Sequence, residues 1–209
     1  MSRNVFIINT DREYNALFEK LGFTLTSDFD KANLIVFTGG EDVSPDLYGD
    51  GKHLKTWNNP HRDEREQMLY SIAYKENIPM VGICRGAQLL NVLNGGRMYQ
   101  DVGRHAVGAG HMLVDVYTHH EILVTSTHHQ MMMPAEKAEI VAIAHEGGYR
   151  EFVENGFVHR DDESVQDYEV LYYEDTNCLC FQPHPEFTGA KWEPMKEYFA
   201  NLLQRYMGF

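Results

Sequence analysis

Apolar positions along this chain fall into two regimes. Val5-Phe6-Ile7-Ile8, Leu34-Ile35-Val36-Phe37 and Met80-Val81-Gly82-Ile83 are short, unbroken runs rich in β-formers. Each predicts a strand buried on both faces. Between the first two, Glu13 to Leu21 reads as a helix ended by Gly22 at the C-cap position. From Asp63 onward Met68, Leu69, Ile72 and Ala73 recur at helical spacing behind a charged first turn, which predicts a second, amphipathic helix. The third strand passes without a gap into Gly86 to Leu93, a helical stretch closed by Gly95-Gly96. From residue 97 to about residue 182 the pattern shortens to alternating strands, such as Met112 to Tyr117 and Ile140 to His145. Trp192, Met195, Phe199, Leu202 and Tyr206 place one apolar face on a closing helix.

Strand–helix–strand alternation with continuous apolar strands implies an α/β fold with a mostly parallel central sheet flanked by helices on both faces. The alternating strands add a smaller antiparallel region. Neither an internal repeat nor a linker interrupts the pattern, so residues 1–209 are expected to form a single domain.

Charge narrows the partners. A formal net charge of −13, with no basic cluster, argues against binding a phosphate backbone. Only three cysteines occur, Cys84, Cys178 and Cys180, too few for a disulfide framework. Met1-Ser2-Arg3 and the short run after it do not make a signal-peptide core, and no apolar stretch approaches the roughly 20 residues of a membrane span. The expectation is a cytoplasmic protein that meets neither nucleic acid nor membrane.

The sharpest chemical signal is Gly82-Ile83-Cys84-Arg85-Gly86, set between a strand and a helix. This is the thiol version of a nucleophile elbow, in which small residues two positions either side relieve crowding around an exposed nucleophile. The helix behind it aims backbone amides and partial positive charge at the sulfur, which favours the thiolate. A buried structural cysteine is the plainer reading of Cys84 alone. A cysteine nucleophile needs a base, and the base needs an orienting partner. Gln182-Pro183-His184-Pro185-Glu186, after the strand Leu179-Cys180-Phe181, supplies a histidine and a carboxylate on a stiff loop.

Together these residues carry a resemblance. Residues 80–97 and Phe181-Gln182-Pro183-His184-Pro185-Glu186 are similar to the two signature blocks of class I glutamine amidotransferases. The block from Phe37-Thr38-Gly39-Gly40-Glu41-Asp42 to Gly49 resembles the branch that holds the γ-glutamyl-γ-aminobutyrate hydrolases, the C26 cysteine peptidases. Arg62-Asp63 with Glu66, Gln100-Asp101 and Thr127-His128-His129-Gln130 fit that branch as well. The resemblance implies a flavodoxin-like three-layer sandwich and a catalytic triad of Cys84, His184 and Glu186. It also implies an oxyanion hole from the amides of Gly40 and Arg85, and substrate contacts from Gln88, His129 and Gln130. Asp42, Pro45 and Arg62-Asp63 are expected to shape loops around the site.

The implied substrate is a γ-glutamyl small molecule, glutamine or a larger γ-glutamyl amide, cleaved without a cofactor. Two other readings stand beside the hydrolase. One is a glutaminase subunit that delivers ammonia to a separate synthetase; the other is an inactive binding relative. Connections between about residues 103 and 170 are short for the hydrolase branch, and the acidic Asp161-Asp162-Glu163 lies among them. The amine half of the substrate is therefore open. No metal is expected: neighbours in His119-His120 and in His128-His129 point to opposite faces of a strand, and Cys178-x-Cys180 lacks a second pair. Met131-Met132-Met133 reads as loop or interface packing.

Overall fold

A computed structural model describes residues 3–144, 148–162 and 166–209, without the side chain of Asp162. Met1, Ser2, His145 and Glu163, named above, lie outside the described residues. The first half runs β1 (Asn4–Ile8), α1 (Arg12–Lys20), β2 (Thr24–Leu25), β3 (Leu34–Phe37), α2 (Pro60–Lys75), β4 (Met80–Ile83) and α3 (Arg85–Leu93). The second half is mostly strand: β5 (Arg97–Tyr99), β6 (Asp101–Val102), β7 (Ala106–Asp115), β8 (Glu121–Thr127) and β9 (Met131–Met133). Then come β10 (Glu139–Ala144), β11 (Tyr149–Glu154), β12 (Phe157–Asp162), β13 (Tyr168–Tyr173), β14 (Cys178–Phe181) and α4 (Glu193–Met207).

Nine of these strands form one sheet in the order β2-β1-β3-β4-β14-β13-β10-β7-β8. From β2 to β14 the neighbours are parallel, and from β14 to β8 they are antiparallel. The antiparallel strands thus extend the parallel sheet, and β14 is where the two halves meet. A small sheet of β12, β11 and β6 and the pair β5–β9 sit beside it.

Alternation within each strand decides which helix it meets. Val5, Val36, Val81 and Phe181 face α1 and α4, through Tyr14, Leu17, Phe18, Phe199 and Leu202. Ile8, Ile35, Phe37, Cys178 and Cys180 face the opposite layer, with Ala87, Leu90 and Val92 of α3 and Ala73 of α2. Burial pushes the Cys178 thiol up to about 12, which keeps it an inert core group.

Three local expectations change. α2 begins at Pro60, ahead of Asp63, because Asn59 caps it, accepting from the Arg62 amide at 3.3 Å, and proline suits the first helical position. Its buried face holds only part of the apolar stripe: Ala73 is buried and Leu69 packs against the core, but Met68 is 58% exposed, whereas Asp63 and Glu66 are buried. Those carboxylates turn inward because Arg85 lies beneath them. Met131 and Met132 are fully buried and belong to the strand β9, not to a loop.

Candidate active site

The site gathers at the C-terminal ends of β3, β4 and β14, where ligands collect in open parallel sheets. Cys84 joins β4 to α3 with φ 51° and ψ −111°, a backbone that a residue with a β-carbon adopts only under constraint. Its amide donates to the Phe181 carbonyl at 2.9 Å, and its carbonyl accepts from the Gln88 amide at 3.1 Å. The flanking glycines make the turn possible. A β-carbon on Gly82 would run into the backbone of Gly86 and Ala87, and one on Gly86 into the Phe37 carbonyl.

Below the elbow the Arg85 side chain, 1% exposed, forms ion pairs with Asp63 and Glu66. Glu66 also accepts from Arg62 Nε at 2.7 Å and Asn9 Nδ2 at 2.9 Å. Arg62 then donates to the carbonyls of Thr38 at 3.0 Å and Gly39 at 2.9 Å, and to Glu41 at 2.9 Å. One buried charge network therefore ties the start of α3 to the loop after β3. Gly40 has φ +145°, and a β-carbon there would collide with the Arg62 guanidinium. Gly40 and Arg85 both line the pocket in front of Cys84.

His184 follows β14, its amide donating to Thr125 Oγ1 at 2.6 Å. Its Nδ1 lies 2.5 Å from Glu186 Oε1, leaving Nε2 as the nitrogen available to the sulfur. Burial disfavours charge on this imidazole, but the Cys84 sulfur and the Glu186 carboxylate outweigh it and hold His184 well above its ordinary range. A β-carbon built on Gly39 would touch His184, the Tyr14 hydroxyl and the Cys84 side chain, so all three converge on that point. Tyr14 was not legible beforehand, because in sequence it is simply an apolar-face residue of α1. Its hydroxyl accepts from the Gly39 amide at 3.0 Å, and burial, with the Glu186 charge as a further cause, drives its titration upward.

The pocket encloses about 180 Å³, walled by Gly40, Glu41, Asp42, Trp57, Cys84, Arg85, Gln88 and residues 127–130. That is below the roughly 300–1,000 Å³ of drug-sized sites and suits a group the size of one amino acid. Gln88 Nε2 donates to the Gln130 carbonyl and to Gln182 Oε1, each at 3.2 Å. Gln130 Nε2 donates to Thr56 Oγ1 at 3.1 Å and to the Gln100 carbonyl at 3.2 Å, while its Oε1 is buried without a partner. His129 Nε2 lies 3.1 Å from Asp42 Oδ1, and this hydrogen bond holds the imidazole above its ordinary range. All eight sequence-derived site residues thus fall in or beside one cleft. Trp57, 76% exposed at its rim, carried no motif.

Elsewhere, His105, His111, His128 and Glu169 form a group with metal-ligand spacing. No helix among the described residues is long and apolar enough to cross a membrane.

A thiol on a strand–helix elbow, faced by a histidine–glutamate pair at the C-terminal ends of the parallel strands, is the arrangement of the class I glutamine amidotransferase superfamily. A solved glutamine amidotransferase from Thermotoga maritima superposes with a TM-score of 0.61 at 16% identity, covering 98% of this chain and 84% of that one. The Peptidase C26 family model matches residues 24–161, and the chain belongs to that family. The glutamine amidotransferase-like protein YvdE of Lactococcus lactis is 34% identical over 193 residues, covering 80% of this chain and 72% of the relative. The carbamoyl phosphate synthase small chain of Campylobacter jejuni is 30% identical over 130 residues, covering 60% of this chain but only 30% of that protein.

Proposed function

We propose that the protein is a γ-glutamyl amide hydrolase that works through a thioester on Cys84. The observation that carries this reading is the line Glu186–His184–Cys84 behind a pocket of one-residue size. The Cys84 thiolate attacks the γ-carbonyl carbon, and the oxyanion accepts from the amides of Gly40 and Arg85. As the C–N bond breaks, the His184 imidazolium gives its proton to the departing nitrogen. The neutral imidazole then takes a proton from water, whose hydroxide displaces the thiolate and releases glutamate. Glu186 holds the ring orientation and offsets the imidazolium charge. Gln88, Gln130 and His129 bind the glutamyl moiety. The exposed Trp57 indole, with Glu41 and Asp42 nearby, favours a neutral or cationic amine on the leaving side over an anionic one.

Glutamate release by the purified chain alone, from glutamine and a panel of γ-glutamyl amides, tests this reading. Faster release from a larger amide than from glutamine supports the hydrolase. Retained release by a folded Cys84→Ala protein sinks the mechanism. The likeness to a synthase small chain favours a second reading, a glutaminase subunit serving a synthetase partner. In that case the chain alone is slow on every amide while Cys84 still reacts stoichiometrically with an alkylating agent. A Cys84 that fails to react would instead point to an inactive binding relative.

A further inference from the structure

Beneath the pocket wall formed by residues 127–130, four side chains converge that the proposed chemistry does not use. His105 stands just ahead of β7, His111 within it, His128 just after β8, and Glu169 in β13. One donor atom from each lies within 4.8 Å of all the others. Glu169 is fully buried. Its Oε1 lies 3.5 Å from His105 Nδ1, 3.2 Å from His111 Nε2 and 3.5 Å from His128 Nε2. None of these contacts has hydrogen-bond geometry: both Glu169 oxygens and the three facing nitrogens are buried without a hydrogen-bond partner.

Two of the three outward nitrogens, by contrast, are engaged, while His111 Nδ1 is buried without a hydrogen-bond partner. His105 Nε2 meets Asp167 Oδ2 at 2.9 Å, and Asp167 is held by Arg150 Nε at 2.5 Å. His128 Nδ1 meets the Gln130 carbonyl at 2.9 Å. A carbonyl can only accept, so His128 carries its proton on Nδ1 and turns the Nε2 lone pair inward. The carboxylate likewise draws the His105 proton to Nε2 and leaves the Nδ1 lone pair inward. Histidines that ligate metals are oriented in this way, by a carboxylate or a backbone carbonyl on the far nitrogen.

We infer that His105, His111, His128 and Glu169 form a closed, tetrahedral structural site for a divalent transition metal, zinc being the ion that suits three imidazoles and one carboxylate. Bonds of about 2.0–2.1 Å at tetrahedral angles put neighbouring ligand atoms about 3.3 Å apart. The distances from Glu169 Oε1, 3.2 to 3.5 Å, bracket that edge. An ion there gives a buried carboxylate with no donors the cation it lacks. It also clasps β13 to β7 and β8 across the intervening β10. The position matters for the catalytic loop: the Glu169 carbonyl accepts from the Gln182 amide at 2.8 Å, two residues before His184, and His128 precedes the pocket residues His129 and Gln130. The ion is a brace for both walls of the cleft.

The test uses the full chain carrying Cys84→Ala, so that the pocket thiol cannot ligate, stripped with a chelator and titrated with ZnCl₂ and CoCl₂. One Zn²⁺ per chain at submicromolar dissociation constant, intense visible bands with Co²⁺, and a higher melting temperature on Zn²⁺ addition are expected. Glu169→Gln and His111→Ala should each weaken Zn²⁺ binding by about 100-fold or more, the upper end of what loss of even an outer-shell partner does. A folded parent chain that takes up no stoichiometric Zn²⁺ and shows no Co²⁺ bands overturns the inference. That result would leave the cluster as a protonated histidine paired with Glu169. Binding that survives both substitutions unchanged overturns it equally.

Discussion

Removing the Glu66 carboxylate tests whether the buried charge network holds the elbow. Glu66 is 0% exposed and receives Arg85 Nη1, Arg62 Nε at 2.7 Å and Asn9 Nδ2 at 2.9 Å. Glu66→Ala leaves Arg85 paired only with Asp63, and its Nε already has no partner. Breaking a buried ion pair from one side costs about 3–5 kcal/mol. At about 2–4 °C per kcal/mol for a chain of this size, the melting temperature should fall by about 6–20 °C. The remaining folded protein should also lose activity, on the order of 10²-fold, because the Arg85 amide and the Gly39–Gly40 loop hang on the same network. Urea unfolding monitored by circular dichroism reads the first effect, and glutamate release well below the new melting temperature reads the second. Glu66→Gln keeps the shape and one acceptor oxygen and should fall between the two. A Glu66→Ala protein within about 1 kcal/mol of the parent would refute the view that the network anchors this turn.

Three further expectations follow from the geometry. Gly86→Ala should destabilise the fold by about 1–3 kcal/mol or more, since its β-carbon meets the Phe37 carbonyl; a denaturant midpoint equal to that of the parent contradicts the close approach. Glu186→Gln should lower kcat by up to about 10⁴-fold with a modest change in KM, as in other triads that lose the orienting carboxylate, and an undiminished kcat rules out its role. Because Cys84 and Glu186 hold the His184 titration above its ordinary range, their contribution to stability is complete below the unfolded imidazole value of about 6.5 and is lost as pH rises through the raised one. Cys84→Ala should therefore bring the His184 titration down and flatten that loss, and a histidine signal in NMR that titrates unchanged argues against the thiolate–imidazolium pair.

Local patterning determined a good deal of this protein. Runs such as Leu34–Phe37 and Met80–Ile83 are buried on both faces, and continuous apolar strands separated by helices have few solutions other than a parallel sheet between two helical layers. The elbow was legible for the same reason: Gly82 and Gly86 are required by contacts within a few residues of Cys84 and with the adjacent strand. What depends on the meeting of distant segments was not legible. Period-two strands do not state their partners, so it took the fold to join β14 to β4 on one side and β13 on the other; that His184 meets Cys84 was expected from the family resemblance and not from local pattern. Helical periodicity likewise could not tell that α2 would bury Asp63 and Glu66 and expose Met68, because the reason is an arginine that arrives from α3. Nor could spacing find His105, His111, His128 and Glu169, which come together only when β7, β13 and the segments flanking β7 and β8 are packed, whereas the adjacent His128 and His129 go to different partners, Glu169 and Asp42. Sequence sets what each segment wants to bury; which polar groups end up sharing that buried space is decided only by how the segments pack.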